Sequence, residues 1–163
     1  MTNCVCNGAP NGVHCGIIVG ENKGAIKNCR IQNCQLTSLS GSYNSIGGIC
    51  GFNSGSVTNC KAFRTTASGS PYSNNDASAG GLVGINNGSL INGYVSSISC
   101  SGWKRGYVAG QNNGNIVGCT STGTCSIGSG TYGGSITGMN YGTVANCKTT
   151  TDLKLVGYGY DPS

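Results

Sequence analysis

One phrase returns five times along this chain: a glycine with a bulky aliphatic residue two positions before it, an asparagine two after and a second glycine four after. The first glycines are Gly20, Gly51, Gly84, Gly110 and Gly138, so successive copies lie 31, 33, 26 and 28 residues apart. The aliphatic residues are Ile18, Ile49, Leu82, Val108 and Ile136, and the asparagines are Asn22, Asn53, Asn86, Asn112 and Asn140. A further apolar residue follows the second glycine in every copy: Ile26, Val57, Leu90, Ile116 and Val144. Self-similarity at such a period marks a repeat architecture, in which each unit buries its apolar side only by stacking on the next.

Within a copy the apolar residues alternate over short runs divided by glycine and asparagine turns, and no helical periodicity is present. In the third copy Leu82, Gly84 and Asn86 alternate with Val83, Ile85 and Asn87, and Leu90 follows the Asn-Gly turn. The pattern predicts an all-β, right-handed parallel β-helix of about five coils, with three short strands per coil and equivalent strands paired between coils. The whole chain, residues 1–163, reads as a single repeat domain, with coil repeats near 16–30, 47–61, 80–94, 106–120 and 134–148. Inserts fall at 35–46 and 67–79, and partial repeats stand at both ends. Stacking predicts an amide ladder through the five asparagines. A second ladder is expected through Asn28, Asn59, Asn92 and Asn146, interrupted by Gly118 and extended by Asn3. Gly24, Gly55, Gly88, Gly114 and Gly142 are expected to take positive φ at a corner.

Composition sets the class. Thirty glycines in 163 residues without a Gly-X-Y period exclude collagen, and 8% charged against 37% hydrophobic residues speaks against disorder. The net charge of +5 is dispersed, with Lys104 and Arg105 the one adjoining basic pair, so a nucleic-acid footprint is not indicated. No apolar run approaches the ~18 residues of a membrane span. No signal peptide opens the chain, so an exported protein would be met here as a mature piece or an excised segment.

Eleven cysteines are the other unusual feature. Cys29, Cys60, Cys119 and Cys147 share one repeat column, where the third copy has Gly93, and Cys4 aligns with it through Thr2-Asn3-Cys4. Cysteine is a small buried hydrophobe, so a reduced cysteine ladder suits the column, with some disulfides as the alternative. Zinc spacing and histidine support are lacking, and neither metal nor cofactor is expected.

The run from Gly80 through Leu82-Val83-Gly84-Ile85-Asn86-Asn87-Gly88 to Asn92 resembles the GLUG repeat, and so do residues 47–61 and 133–148. The similarity covers most of residues 16–155. It is a module of large bacterial surface proteins, including adhesins and some immunoglobulin-A-cleaving peptidases, in which the repeats are not the catalytic part. The resemblance implies an extracellular or cell-surface location and a stalk or binding array. The inserts and the surplus cysteines depart from that pattern.

No catalytic residue is expected. The acids Glu21, Asp76, Asp152 and Asp161 occupy different columns, and His14 with Cys15 would point to opposite sides of a strand. The predicted outer side of the first strand carries Phe52, Val83, Ile85 and Met139, an apolar flank that either binds a partner or lies under the inserts. Trp103 and Arg105, on a short connection, are the candidate loop contacts. Partners are expected to be self, in a homo-oligomer or head-to-tail filament, or a host or surface protein or glycan. Small residues at Ser56, Thr58, Ser89 and Thr143 leave an ice-binding solenoid as the alternative function, with a carbohydrate-binding or carbohydrate-active β-helix as a further one.

Overall fold

The computed structural model describes residues 1–7, 14–37, 45–68, 77–123, 126–127, 132–151 and 156–159. Most of each insert (38–44 and 69–76), the acids Asp76, Asp152 and Asp161, and parts of the final partial repeat lie outside the described residues. What is described is all β, without a helix, and every strand pairing is parallel to the equivalent strand of a neighbouring coil.

A complete coil carries five strands, not three. The second coil shows the order: Ser45–Gly47, Cys50–Asn53, Ser56–Thr58, Lys61–Phe63 and Thr66–Ser68. Each strand seeds one sheet, called here sheets I to V in that order. Sheets I, III, IV and V have five strands, and sheet II has six because Val156–Gly159 adds to it. Pairing is in register throughout, with Asn53 on Asn86, Asn86 on Asn112 and Asn112 on Asn140. The chain is a β-solenoid.

Three-residue strands give sheets III to V one inward side chain each. Val57, Leu90 and Ile116 fill sheet III, Ile31, Ala62 and Val95 sheet IV, and Leu36, Ala67 and Cys100 sheet V; all are buried. Residues at the turns complete the core, among them Ile49, Leu82, Val108 and Ile136 at 0% exposure. Each aliphatic side chain removed from water stabilises by about 1.5–3 kcal/mol.

The five asparagines form the expected ladder. Asn22 Nδ2 donates to Asn53 Oδ1 at 2.7 Å, and Asn53, Asn86 and Asn112 each donate to the next Oδ1 at 2.8 Å. The same Nδ2 atoms lie near the carbonyl of the glycine two residues on, as in Asn86 to Gly88 O at 3.3 Å. Asn53, Asn86 and Asn112 are 0% exposed, so these bonds satisfy amides that would each cost about 1–3 kcal/mol if left bare.

The second asparagine column has a different cause. Asn3, Asn28, Asn59, Asn92 and Asn146 have φ between 53° and 57°, and Gly118 has φ 64°. The shared requirement is a left-handed corner, which asparagine tolerates and glycine enters freely, so Gly118 is an equivalent and not a break. A side-chain contact survives between Asn59 and Asn28, at a long 3.4 Å on the surface. The next corner repeats the geometry at Asn33, Arg64, Ser97 and Gly123.

Because the two corners are locally alike, the N-terminal alignment shifts by one strand. Thr2 bridges to Gln32, and the amide of Gln35 donates to Cys4 O. Thus Cys4 sits with Cys34 and not in the Cys29–Cys60 column, and Asn3 belongs with Asn33.

The second glycines of the phrase do not take positive φ. A Cβ on Gly55, Gly88, Gly114 or Gly142 would instead strike the carbonyl oxygen of the equivalent glycine one coil back. Gly24, at the end of the stack, has nothing within 4 Å of such an atom. Gly88→Ala should therefore cost about 1–3 kcal/mol through overpacking, while Gly24→Ala should be neutral or stabilising by up to about 1 kcal/mol. Urea unfolding of both variants checks this, since a glycine needed only for turn flexibility would give the two equal losses.

Candidate functional site

The apolar flank read from the sequence is not an open surface. Val83 is 0% and Met139 6% exposed, while Phe52 and Ile85 are half-buried. Val83 belongs to the hydrophobic core, and sheet I packs against sheet II beside Phe52. Strands of sheet I end in Gly47, Gly80 and Gly106, and a Cβ on Gly47 would lie 2.7 Å from the Cα of Val83. That contact lets two backbones press together across the flank. The first residues of sheet I then face the third residues of sheet II: the rings of His14 and Phe52 lie 4.7 Å apart, and Lys104 Nζ donates to Gln111 Oε1 at 2.8 Å. The sheet I strand follows each insert, and short length and an adjoining loop hid it in the sequence.

Trp103 stands on the connection as expected, whereas Arg105 lies in a strand. Lys104–Gly106 is a sheet I strand, paired with Ser78–Gly80 and Tyr132–Gly134. Trp103 is half-buried, its amide bonded to Ala77 O at 3.0 Å. Arg105, 3% exposed, occupies the column of Ile46 and Ala79 and carries its guanidinium into the core. Its Nε and Nη1 have no hydrogen-bond partner. Burial pushes its pKa down, partly opposed by neighbouring Cys100 and Tyr107.

None of the nine cysteines whose side chains are described is in a disulfide. The column of Cys29, Cys60, Cys119 and Cys147 lies at the turn between sheets III and IV, where thiols of adjacent coils interact. Burial raises Cys60 and takes Cys50 up to about 12. Cys119 is raised by its hydrogen bond with Cys147 and by burial, and the same bond lowers Cys147 to about 7. Among the described cysteines Cys147 is thus one with thiolate character near neutrality.

Catalytic groups do not assemble among the described residues. Glu21 pairs with Lys23 at 3.2 Å on the surface, and no three His, Cys, Asp or Glu side chains converge. His14 is exposed and bonds Ser45 Oγ through Nδ1, whereas Cys15 packs against the core. The small-residue face of sheet III stacks Ser56 on Ser89 and Thr58 on Ile91, with Lys27 below Thr58. No helix among the described residues is long and apolar enough to cross a membrane.

The face that sequence reasoning passed over is the outside of sheet IV. Arg30 stands in register with Lys61, and Lys61 with Tyr94. Arg30 Cζ lies 4.5 Å from the Phe63 ring centroid and Phe63 lies 5.4 Å from Tyr94. Aligning the columns ten residues after Gly20, Gly51 and Gly84 would have shown arginine, lysine and tyrosine together. The repeat phrase drew the eye to sheets II and III instead.

Two outcomes follow from these positions. Arg105→Met should leave the fold intact and raise stability by about 1–3 kcal/mol, because an apolar chain replaces a buried guanidinium with two unbonded nitrogens; thermal melting reads it, and a large loss would show Arg105 to be a structural partner. In timed alkylation with mass mapping, Cys147 should react before Cys50, Cys60 and Cys119, with a rate midpoint near pH 7. Cys119→Ala should move that midpoint upward by removing the donor, and an unchanged midpoint would contradict the assignment.

Comparison with known proteins agrees with the geometry. No curated protein matches the chain. A candidate immunoglobulin A1 protease from Bacteroides ovatus, known from its crystal structure, superposes with a TM-score of 0.50 at 17% identity, over 99% of this chain and 60% of that one. At that identity the likeness is one of fold, and this chain spans 60% of the length of its neighbour. The GLUG motif matches residues 42–67, which cover the second coil from before its sheet I strand into its sheet V strand. The chain is thus a β-solenoid that carries a GLUG motif in its second coil.

Proposed function

We propose that this chain is a non-enzymatic structural and adhesive module, working outside the cell or at its surface, whose end coils dock onto further coils. Those coils belong to a second copy stacked head-to-tail or to a longer array of the same repeats. The GLUG motif supports the surface location, since such repeats are typical of bacterial surface proteins. The spending of the first asparagine column on the coil itself supports a structural role: Asn22, Asn53, Asn86, Asn112 and Asn140 are consumed by the buried ladder.

One observation carries the docking. Ile18 is 36% exposed, while its equivalents Ile49, Leu82, Val108 and Ile136 are each 0% exposed. The aliphatic residue of this column is covered wherever a described coil lies on each side of it and partly open where one does not. Met1 at 62% and Val5 at 64% enlarge that apolar end, and Tyr158 at 54% marks the opposite one. Among the described residues, both ends also present parallel strands with a neighbour on one side alone, a template for another strand.

Light scattering from micromolar to millimolar protein tests this, with negative-stain microscopy of the same samples. Mass should rise with concentration toward end-to-end assemblies. Ile18→Glu should return the protein to monomer without lowering its melting temperature. A strict monomer at every concentration, or a variant that assembles like the parent, would overturn the stacking.

A further inference from the structure

The outer face of sheet IV pairs two like charges and, among the described residues, offers them no counter-charge. Arg30 and Lys61 are both exposed and in direct register, so they stand on strands about 4.8 Å apart, an arrangement that destabilises a sheet by itself. Arg64, also exposed, follows at the adjoining corner with φ 45°. Among the described residues the one acidic side chain is Glu21, and it is engaged by Lys23 on the sheet II side.

The cations are set among groups suited to a sugar. Arg30 Nη2 donates to Gln32 Oε1 at 2.8 Å, and its guanidinium lies over Phe63, which aims the fork while using few of its donors. Tyr94 packs on Phe63 and exchanges a 2.7 Å hydrogen bond with Thr122. Two shallow depressions meet at Arg30. One, of about 470 Å³, is lined by Lys61 and the exposed amides of Asn28, Asn59 and Asn92; the other, of about 250 Å³, by Phe63, Arg64 and Ser97.

We propose that this face binds an acidic glycan, a polysaccharide bearing carboxylate or sulfate groups. Arg30, Lys61 and Arg64 take the acid groups, for which a guanidinium fork is well matched. The three asparagine amides take hydroxyls, and the rings of Phe63 and Tyr94 supply an apolar footing for the sugar face. An occupied site relieves the repulsion between Arg30 and Lys61. Nucleic acid fits less well, because affinity for it is built mainly from many phosphate contacts and this face offers three cations. The inference rests on the adhesive reading and names its ligand class.

Isothermal titration of the full chain at low salt, with polygalacturonate and chondroitin sulfate as probes, tests it. Dextran serves as the neutral control and a thymidine oligonucleotide as the polyanion control. At least one acidic polysaccharide should bind, dextran should not, and affinity should fall as salt rises. Lys61→Gln should weaken binding about fivefold and Arg30→Gln with Lys61→Gln at least tenfold, at unchanged melting temperature. Lys23→Gln, which removes equal charge elsewhere, should bind as the parent does. Should the double variant melt early, Lys61→Gln alone decides, since its side chain is exposed. Failure to bind either acidic polysaccharide, equal binding by Lys61→Gln, equal binding of dextran, or tighter binding of the oligonucleotide would each overturn the proposal. The mass-against-concentration result stands apart from these outcomes, so the glycan site and the end-to-end docking fail separately.

Discussion

The amide of one asparagine reaching the carbonyl oxygen of its equivalent 2.7–2.8 Å away holds this solenoid to its register. Buried amides have no water to fall back on, so a slip of one residue would strand donors and acceptors on every coil at once. The glycine column beside the ladder imposes the same register sterically. Each turn rests on the glycine carbonyl below it, leaving no room for a side chain. Hydrogen bonding and exclusion thus select the same alignment, and the aliphatic core follows because Ile49, Leu82 and Val108 are carried into line with them.

The five-fold phrase made the solenoid legible, since only stacking explains one asparagine and one glycine at a fixed place in every unit. The strand count was not legible. Sheets III to V are built from three-residue strands separated by two-residue corners, a period of five in which one central residue and one turn residue point inward. Ser56-Val57-Thr58-Asn59-Cys60 and Lys61-Ala62-Phe63-Arg64-Thr65 are the same unit twice, yet they share no side chain that announces it. That likeness also misplaced Cys4, because an Asn-Cys pair stands at both corners of the first coil, Asn28-Cys29 and Asn33-Cys34. Sheet I was hidden for another reason: its central column reads Cys15, Ile46, Ala79, Arg105 and Gly133, which shares no chemistry at all. Its identity comes from the glycine that follows, needed where two sheets press backbone to backbone.

That missing sheet decides which surfaces are available. Val83 is apolar because it belongs to the core, Phe52 lies beside the His14 ring of sheet I, and Arg105 is internal. Among the described residues, two open surfaces stand out: the end of the stack, where Ile18 is partly exposed, and the flank of sheet IV with its adjoining cations. The two surfaces differ in chemistry and direction. An apolar end with free strand edges suits another coil along the axis, and a charged flank suits a ligand approaching from the side.

Hydrogen exchange at the side-chain amides, followed by NMR, tests the stacking account most directly. The Nδ2 protons of Asn53, Asn86 and Asn112 should be strongly protected, because each lies buried in the ladder. Those of Asn28, Asn59 and Asn92, at exposed corners chosen for backbone conformation, should exchange quickly. Equal and rapid exchange in both sets would mean that the asparagines do not form a continuous buried row, and the register argument would be wrong.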